Sequence, residues 1–269
     1  MRYATTKSQG GGRPRAHRAG TNPGLVLAVM ALALGCGRVR AVDGEGSAQA
    51  LSAFREAQAR FKRQPAAIEP AWQFGRACFD LAEFATNSTE RAGIADQGVA
   101  ACRQALQQDT NSAPAQYYLG MNLAQLARTK GFGALKIVDQ MEREFERARK
   151  LDETFDYAGA DRNLGLLYRD TPAVISIGSR TKAREHLQKA VELAPQYPEN
   201  MLNLVEALLK WGDRSEARRQ LKALDDAWAA AKARFAGPAW EATWADWEAR
   251  RLQARKKTAE PAHIPSPKQ

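Results

Sequence analysis

Few residues in this chain could do chemistry, and their spacing limits what they could do. The histidines are His17, His186 and His263, and the cysteines are Cys36, Cys78 and Cys102. A zinc site needs Cys and His in close pairs, and a catalytic nucleophile needs a base in a recognisable setting; neither grouping occurs, nor does a Gly-rich phosphate loop after a strand. His17 lies near the start and His263 near the end, which leaves His186 alone in the body of the chain. Beside Leu187 on a helical stretch, it reads as a packing or surface residue. Glu142, Glu144 and Glu146 alternate with Arg143 and Arg147 and read as a solvated helix face. These residues predict a protein that is not an enzyme, with no cofactor and no metal site.

The elements that carry such residues follow from charge and periodicity. The formal charge of +10 suggests nucleic acid until its distribution is mapped. Residues 1–45 hold seven Lys and Arg against two acids, and residues 248–269 hold six against two, which leaves about +1 for residues 46–247. The basicity belongs to the ends, so no nucleic-acid face is expected. Residues 1–41 read as a signal peptide: Arg13, Arg15 and Arg18 precede the ten-residue apolar run Leu25–Leu34, half the roughly 20 residues of a membrane span. Two cleavage readings compete. Ala33-Leu34-Gly35-Cys36 resembles a lipobox, which makes Cys36 a lipidation site, and Val39-Arg40-Ala41 suits ordinary signal peptidase. Both predict export to the periplasm, with membrane attachment only through a lipid. An exported compartment also permits a disulfide between Cys78 and Cys102, and two small buried thiols are the other reading.

The body repeats itself. Phe74-Gly75 then Cys78, Leu119-Gly120 then Leu123, Leu164-Gly165 then Tyr168, and Leu204-Val205 then Leu208 share one spacing. Each is followed by a second set: Gly98, Cys102, Ala105; Met141, Phe145, Ala148; Ala183, Leu187, Ala190; Ala217, Leu221, Leu224. Steps of three and four place these residues on one helix face, and the small residue of the first helix lets the second approach. This is the pattern of the tetratricopeptide repeat, met best by Leu164 to Pro195. The predicted fold is all-α, an α-solenoid of about four expanded tetratricopeptide helix pairs over 47–228, opened by the helix of Leu51, Phe54, Gln58 and Phe61. Trp240, Trp244 and Trp247 belong to a capping helix over 229–252, and 253–269 reads as a disordered basic tail. Pro195 ends one helix, Pro198 opens the next, and Asp213 with Glu216 forms a capping box.

From the large apolar residue of the first helix to the small residue of the second is nine positions in unit four, but 20, 18 and 15 in units one to three. Three insertions at equivalent points predict three loops gathered on one edge, where function is to be sought. The third insertion, Thr171-Pro172-Ala173-Val174-Ile175-Ser176-Ile177-Gly178, is too apolar for a solvated turn. It either plugs the stack or walls an apolar cleft, the ligand and partner site being then Val174, Ile175, Ile177 and Gly178 with Phe132 and Leu135.

Residues Leu164 to Asn200 resemble the signature region of the T-component proteins of tripartite ATP-independent periplasmic (TRAP) transporters. The matching residues are Leu164, Gly165, Leu167 and Tyr168, then Ser176-Ile177-Gly178, Lys182-Ala183, His186-Leu187 and Tyr197-Pro198-Glu199-Asn200. The Gly-Trp that commonly follows the proline in that family is Ala173-Val174 here. The resemblance implies an exported, often lipid-anchored, non-enzymatic repeat protein that forms trimers, holds a hydrophobic small ligand in a cleft and meets a periplasmic substrate-binding protein. The alternative is a general cell-envelope scaffold for protein–protein interaction that takes no small ligand.

Overall fold

The structure, a computed structural model, describes residues 44–259 apart from 132 and 175. The signal-peptide reading, Cys36, Phe132, Ile175 and residues 260–269 therefore lie outside the described residues. The rest is all-helical. In chain order the helices are α1 (Gly44–Arg63), α2 (Ile68–Ala82), α3 (Ser88–Gln108), α4 (Ala113–Ala127), α5 (Ala134–Leu151), α6 (Phe155–Asp170), α7 (Arg180–Leu193), α8 (Pro198–Lys210), α9 (Arg214–Arg234) and α10 (Glu241–Ala259), with a 3₁₀ turn at Pro238–Trp240. Helices α2 to α9 form four antiparallel pairs stacked as a solenoid, with α1 before the first pair and α10 after the last.

The small residue of each first helix sits where the second crosses. A Cβ on Gly120 would lie 2.7 Å from Phe145 Cε1, one on Gly165 would lie 2.6 Å from Leu187 Cγ, and one on Gly75 would collide with Cys102 Sγ. The same absence of a side chain at Gly98 admits the amide of Asn122, which donates from Nδ2 to the carbonyls of Gly75 and Tyr118, both at 2.8 Å. Two large apolar clusters result. One runs through α2 to α7 around Tyr117, Phe145 and Leu164, and the other joins α6 to α10 around Leu204, Leu208 and Trp247.

Helix ends follow local chemistry. Asn87 caps α3 by accepting from the Glu90 N–H at 2.9 Å, and the Glu90 carboxylate reaches back to the Thr86 N–H at 2.8 Å. Ser112 and Ser179 cap α4 and α7, and Pro198 opens α8. Gly212, at φ +81°, ends α8 in the left-handed conformation that lets Asp213 N–H reach the Leu208 carbonyl at 2.9 Å. One expectation is corrected here. Asp213 makes no capping bond, because its carboxylate is held by Arg180 and Arg184 of α7.

The insertions differ from three loops. In units one and two most of the extra chain is helix: α3 begins ten residues before Gly98 and α5 seven before Met141, whereas α7 and α9 begin three before Ala183 and Ala217. "STERAGIADQ" has no helix-breaking pair and a strong cap, so it extends α3 instead of looping out. The connection 171–179 is longer than 83–87 and 128–133, so the third unit carries the most non-helical chain.

The C-terminus also departs from expectation. Residues 253–259 are not a tail: α10 runs to Ala259 with Ala254 and Thr258 buried, and the Thr258 carbonyl accepts from Arg218 Nε at 2.9 Å. Trp247 is fully buried, and its ring sits 4.9 Å edge-on from Trp244, which in turn meets Trp228 of α9 at 5.1 Å. The tryptophan stripe thus caps the stack. Its polar ends are bonded too, Trp247 Nε1 to Glu199 and Trp244 Nε1 to the Phe235 carbonyl, both at 2.6 Å.

Burial alone would raise the Glu199 carboxyl, but Arg250 at 2.6 Å outweighs it, helped by Arg162 and Trp247, and the net shift is downward. A carboxyl lowered by folding stabilises fully above its ordinary value and loses that contribution as pH falls through the lowered one. Acid is therefore expected to loosen α10 below the usual carboxylate range. Tryptophan fluorescence followed against pH should show a transition that is absent in Glu199→Gln; identical curves would remove Glu199 from this role.

Candidate functional site

The loop between α6 and α7 is the part of the chain least explained by the repeat. Its closure is over-determined. Thr171 donates from Oγ1 to the Leu167 carbonyl at 2.5 Å, Ser176 N–H reaches the Pro172 carbonyl at 3.0 Å, and Ser179 N–H reaches the Tyr168 carbonyl at 3.0 Å. Gly178 lies so close to the Thr171 carbonyl that no Cβ fits. This close approach, and not a positive φ, is why glycine stands there.

The two described β-branched apolar side chains of the loop, Val174 and Ile177, part company. Ile177 packs against the central cluster, which includes Ala134 and Val138 of α5. Val174 is 96% exposed. Leu135 is half-buried on the first turn of α5 and is not among the residues of that cluster. A continuous apolar wall through Val174, Ile177, Gly178 and Leu135 is thus not what the fold builds. Ile177 lies half-buried against that cluster, Gly178 closes the loop, and Val174 points to water, because a loop anchored at both ends by backbone bonds has only its tip free.

Aromatic and charged groups flank the loop. Arg180 and Arg184 lie 5.3 and 5.4 Å from the ring centre of Trp211, and both meet Asp213. On the other side Lys182 sits 4.7 Å over the ring of Tyr168, whose hydroxyl donates to Glu142 at 2.5 Å. Burial, then Glu142, pushes the Tyr168 phenol up, so it remains a donor at neutral pH. Arg180 and Arg184, in the first turns of α7, belong to no sequence motif, and Trp211 follows α8 in a position that the repeat leaves open. Neither was legible as part of this edge.

His186 is better placed than its isolation in sequence suggested. Its Nδ1 bonds Asp161 Oδ1 at 2.7 Å, and its ring stacks on Tyr168 at 5.5 Å. Such a pair is two-thirds of a hydrolytic triad. Its outward nitrogen, however, faces Glu146 Oε1 at 3.9 Å, a carboxylate and not a hydroxyl. The arrangement joins α5, α6 and α7 and presents no nucleophile. Among the described residues no group of three or more His, Cys, Asp or Glu is placed to hold a metal ion, and no helix is long and apolar enough to cross a membrane.

Cys78 and Cys102 are both buried free thiols, so the fold holds the reading of two small packed residues and not the disulfide. Burial pushes Cys78 up to about 12 and Cys102 higher still. Both are expected to resist a thiol reagent in the folded protein at neutral pH, where the reactive thiolate is scarce, and to react fast in denaturant without reductant. No thiol released on denaturation would restore the disulfide.

The comparisons agree with this geometry. The family description "Tetratricopeptide repeat" matches residues 178–235, which span α7, α8 and α9. Among solved structures, a thermophilic tetratricopeptide-repeat protein of Thermus thermophilus aligns with TM-score 0.57 at 17% identity, over 78% of this chain and 92% of that one. MamA aligns with TM-score 0.45 at 20% identity, over 65% of this chain and 85% of that one. No curated protein matches the chain in sequence. The identity to the Thermus protein carries the fold and nothing more: the described helices share its solenoid architecture, and the sequence match to the tetratricopeptide repeat is confined to residues 178–235.

Proposed function

We propose that this chain is an exported, non-enzymatic protein-binding repeat of the TRAP T-component type, and that its partner is a periplasmic substrate-binding protein. Tetratricopeptide solenoids work by presenting side chains from a rigid stack, and nothing among the described residues is arranged as a nucleophile with its base. The T-component reading rests on the resemblance over Leu164 to Asn200. The observation that carries the binding reading is the loop inside that stretch: fixed by four backbone acceptors or close approaches, it holds Val174 almost wholly in water. An apolar side chain held rigidly in solvent loses little entropy on docking. A small ligand is not part of this reading, since Ile177 packs against the central cluster while Val174 faces solvent.

A photo-crosslinking residue at position 174, introduced into the full chain in its own host, tests it. Crosslinks to a substrate-binding protein are expected, and Val174→Asp should abolish the complex while changing stability by less than about 0.5 kcal/mol. Ile177→Asp should instead cost about 1–3 kcal/mol, because it places a charge against the central cluster. Capture that survives Val174→Asp and is lost on changing the exposed Arg76 and Asp80 of α2 would favour the general scaffold.

A further inference from the structure

Charge is unevenly spread along the edge where the two helices of each pair connect. In units one and two, the last four residues of the first helix, the connection and the first seven residues of the second hold four Lys and Arg against four Asp and Glu. The same segments of units three and four, with the last seven residues of α10, hold eleven against four. The end of α10 belongs to this rim because Arg218, in the second turn of α9, donates from Nε to the Thr258 carbonyl at 2.9 Å. Folding thus adds the basic end of α10 to an edge that is already basic.

The acids of the rim do not cancel it. Asp170, 3% exposed, is shared by Arg169, at 2.5 and 2.9 Å, and Lys210, at 2.6 Å. Asp213 Oδ2 is shared by Arg180, at 2.9 Å, and Arg184. Each carboxylate meets two cations, so each group keeps one positive charge in excess. Lys256 and Lys257 are exposed in the last turn of α10, and Arg218 spends its bond on a carbonyl, which carries no full charge. Arg180 and Arg184 are also held in place, 5.3 and 5.4 Å from the ring centre of Trp211. A guanidinium has five N–H donors, and among the described residues each of these two engages one, on Asp213.

We infer that this rim docks an acidic segment of the protein partner, with carboxylates on the open donors of Arg180 and Arg184 and further acids facing Arg218, Lys256 and Lys257. A guanidinium fork held against an aromatic ring suits a carboxylate, which takes two parallel N–H bonds, and it loses little freedom on binding. A membrane surface attracts cations without any need for fixed forks, which makes a protein the better match. The exposed Val174 stands on the connection that leads into Arg180, so the acid contacts and the apolar one share an edge. This deepens the protein-binding reading above and rests on it for the existence of a partner.

The test uses the full chain and a fluorescent poly-glutamate peptide, followed by anisotropy. Wild type should bind it with an affinity that falls steeply as salt is added. Arg180→Ala, which leaves Asp213 to Arg184, should weaken binding about fivefold, and Lys256→Glu/Lys257→Glu about tenfold, as loss and reversal of charges at an interface do. The Arg103→Glu/Lys150→Glu chain makes the same change in net charge at exposed sites off the rim. It should bind within about twofold of wild type, since distant exposed charges are screened. Unchanged affinity in either rim variant, or an equal loss in the off-rim one, overturns the rim. If the two glutamates unwind the end of α10 by circular dichroism, Lys256→Ala/Lys257→Ala takes their place, with a loss of about threefold expected. Phosphatidylglycerol vesicles that bind wild type and are released by the same substitutions, with no binding of poly-glutamate, assign the rim to lipid and overturn the acidic partner. Crosslinking from position 174 reads the partner apart from this probe. Capture without poly-glutamate binding overturns the rim alone, whereas poly-glutamate binding without capture supports the rim and removes the substrate-binding protein from the reading above.

Discussion

Replacing Arg162 by alanine is expected to lower the unfolding free energy by about 3–5 kcal/mol, as breaking a buried ion pair typically does. The guanidinium lies between three helices. It donates to Asp156 Oδ2 at 2.6 Å, to the Asp156 and Tyr157 carbonyls at 3.1 and 3.3 Å, to Asn200 Oδ1 of α8 at 3.2 Å and to the Tyr117 hydroxyl of α4 at 3.3 Å. Burial alone would drive the group toward neutrality, but Tyr117 and Asp156 outweigh it and raise it, so it stays charged. What it holds is costly backbone. Asp156, Tyr157 and Ala158 take φ of 52°, 56° and 60° at the start of α6, a left-handed conformation that costs non-glycine residues about 1–2 kcal/mol each. Without Arg162, Asn200 Oδ1 loses its donor, and the Asp156 carboxylate and the Tyr157 carbonyl are left with the Tyr117 hydroxyl and the Asn200 amide, while the strain remains. Urea unfolding measures the loss, and hydrogen exchange at the amide of Ala158, bonded to the Thr154 carbonyl at 3.2 Å, should show this turn opening first. Arg162→Lys should recover only part, because a single ammonium cannot reach the same set of acceptors. A loss below about 1 kcal/mol for the alanine variant would contradict the account.

Gly165→Val should be nearly as damaging, toward the upper end of the about 1–3 kcal/mol that overpacking costs. The first added carbon would meet Leu187 Cγ at 2.6 Å and the Leu187 backbone nitrogen at 3.1 Å, and backbone cannot swing aside as a side chain can. Helix propensity opposes this loss, since glycine is the poorer helix former by a few tenths to about 1 kcal/mol, so sterics decide the sign. Leu187→Ala alone should cost about 2–5 kcal/mol through the cavity it leaves. The double variant should then be less than additive, because each change relieves the other. A thermal-melt cycle that sums additively would show that the two residues do not share the contact.

These two variants divide what sequence made legible from what it did not. Gly165 and Leu187 were visible because a repeat states its packing four times over, and the crossings of Gly120 with Phe145 and Gly75 with Cys102 repeat the same close approach. Periodicity reports faces, so the pairs, the opening helix and the tryptophan cap could be read. Arg162 was invisible for the opposite reason. Its partners Tyr117, Asp156 and Asn200 lie 45, 6 and 38 positions away, on separate helices, and each is ordinary in its own segment. The insertions were misjudged as loops since spacing between packed residues counts chain and says nothing of its conformation. At the candidate site, the apolar character of Val174 and Ile177 was plain, but alternation along a loop does not tell which side chain faces inward.

The helical insertions have a consequence for how another molecule would approach this edge. Relative to α7 and α9, the lead-in of α3 is longer by seven residues and that of α5 by four, close to two turns and one turn at 3.6 residues each. Added in near-whole turns, the extra length keeps each packed face in phase. At 1.5 Å per residue it raises the ends of α3 and α5 by about 10 and 6 Å. The first two units thus carry their extra length as helix, whereas the third carries it as the connection 171–179, on which Val174 is 96% exposed.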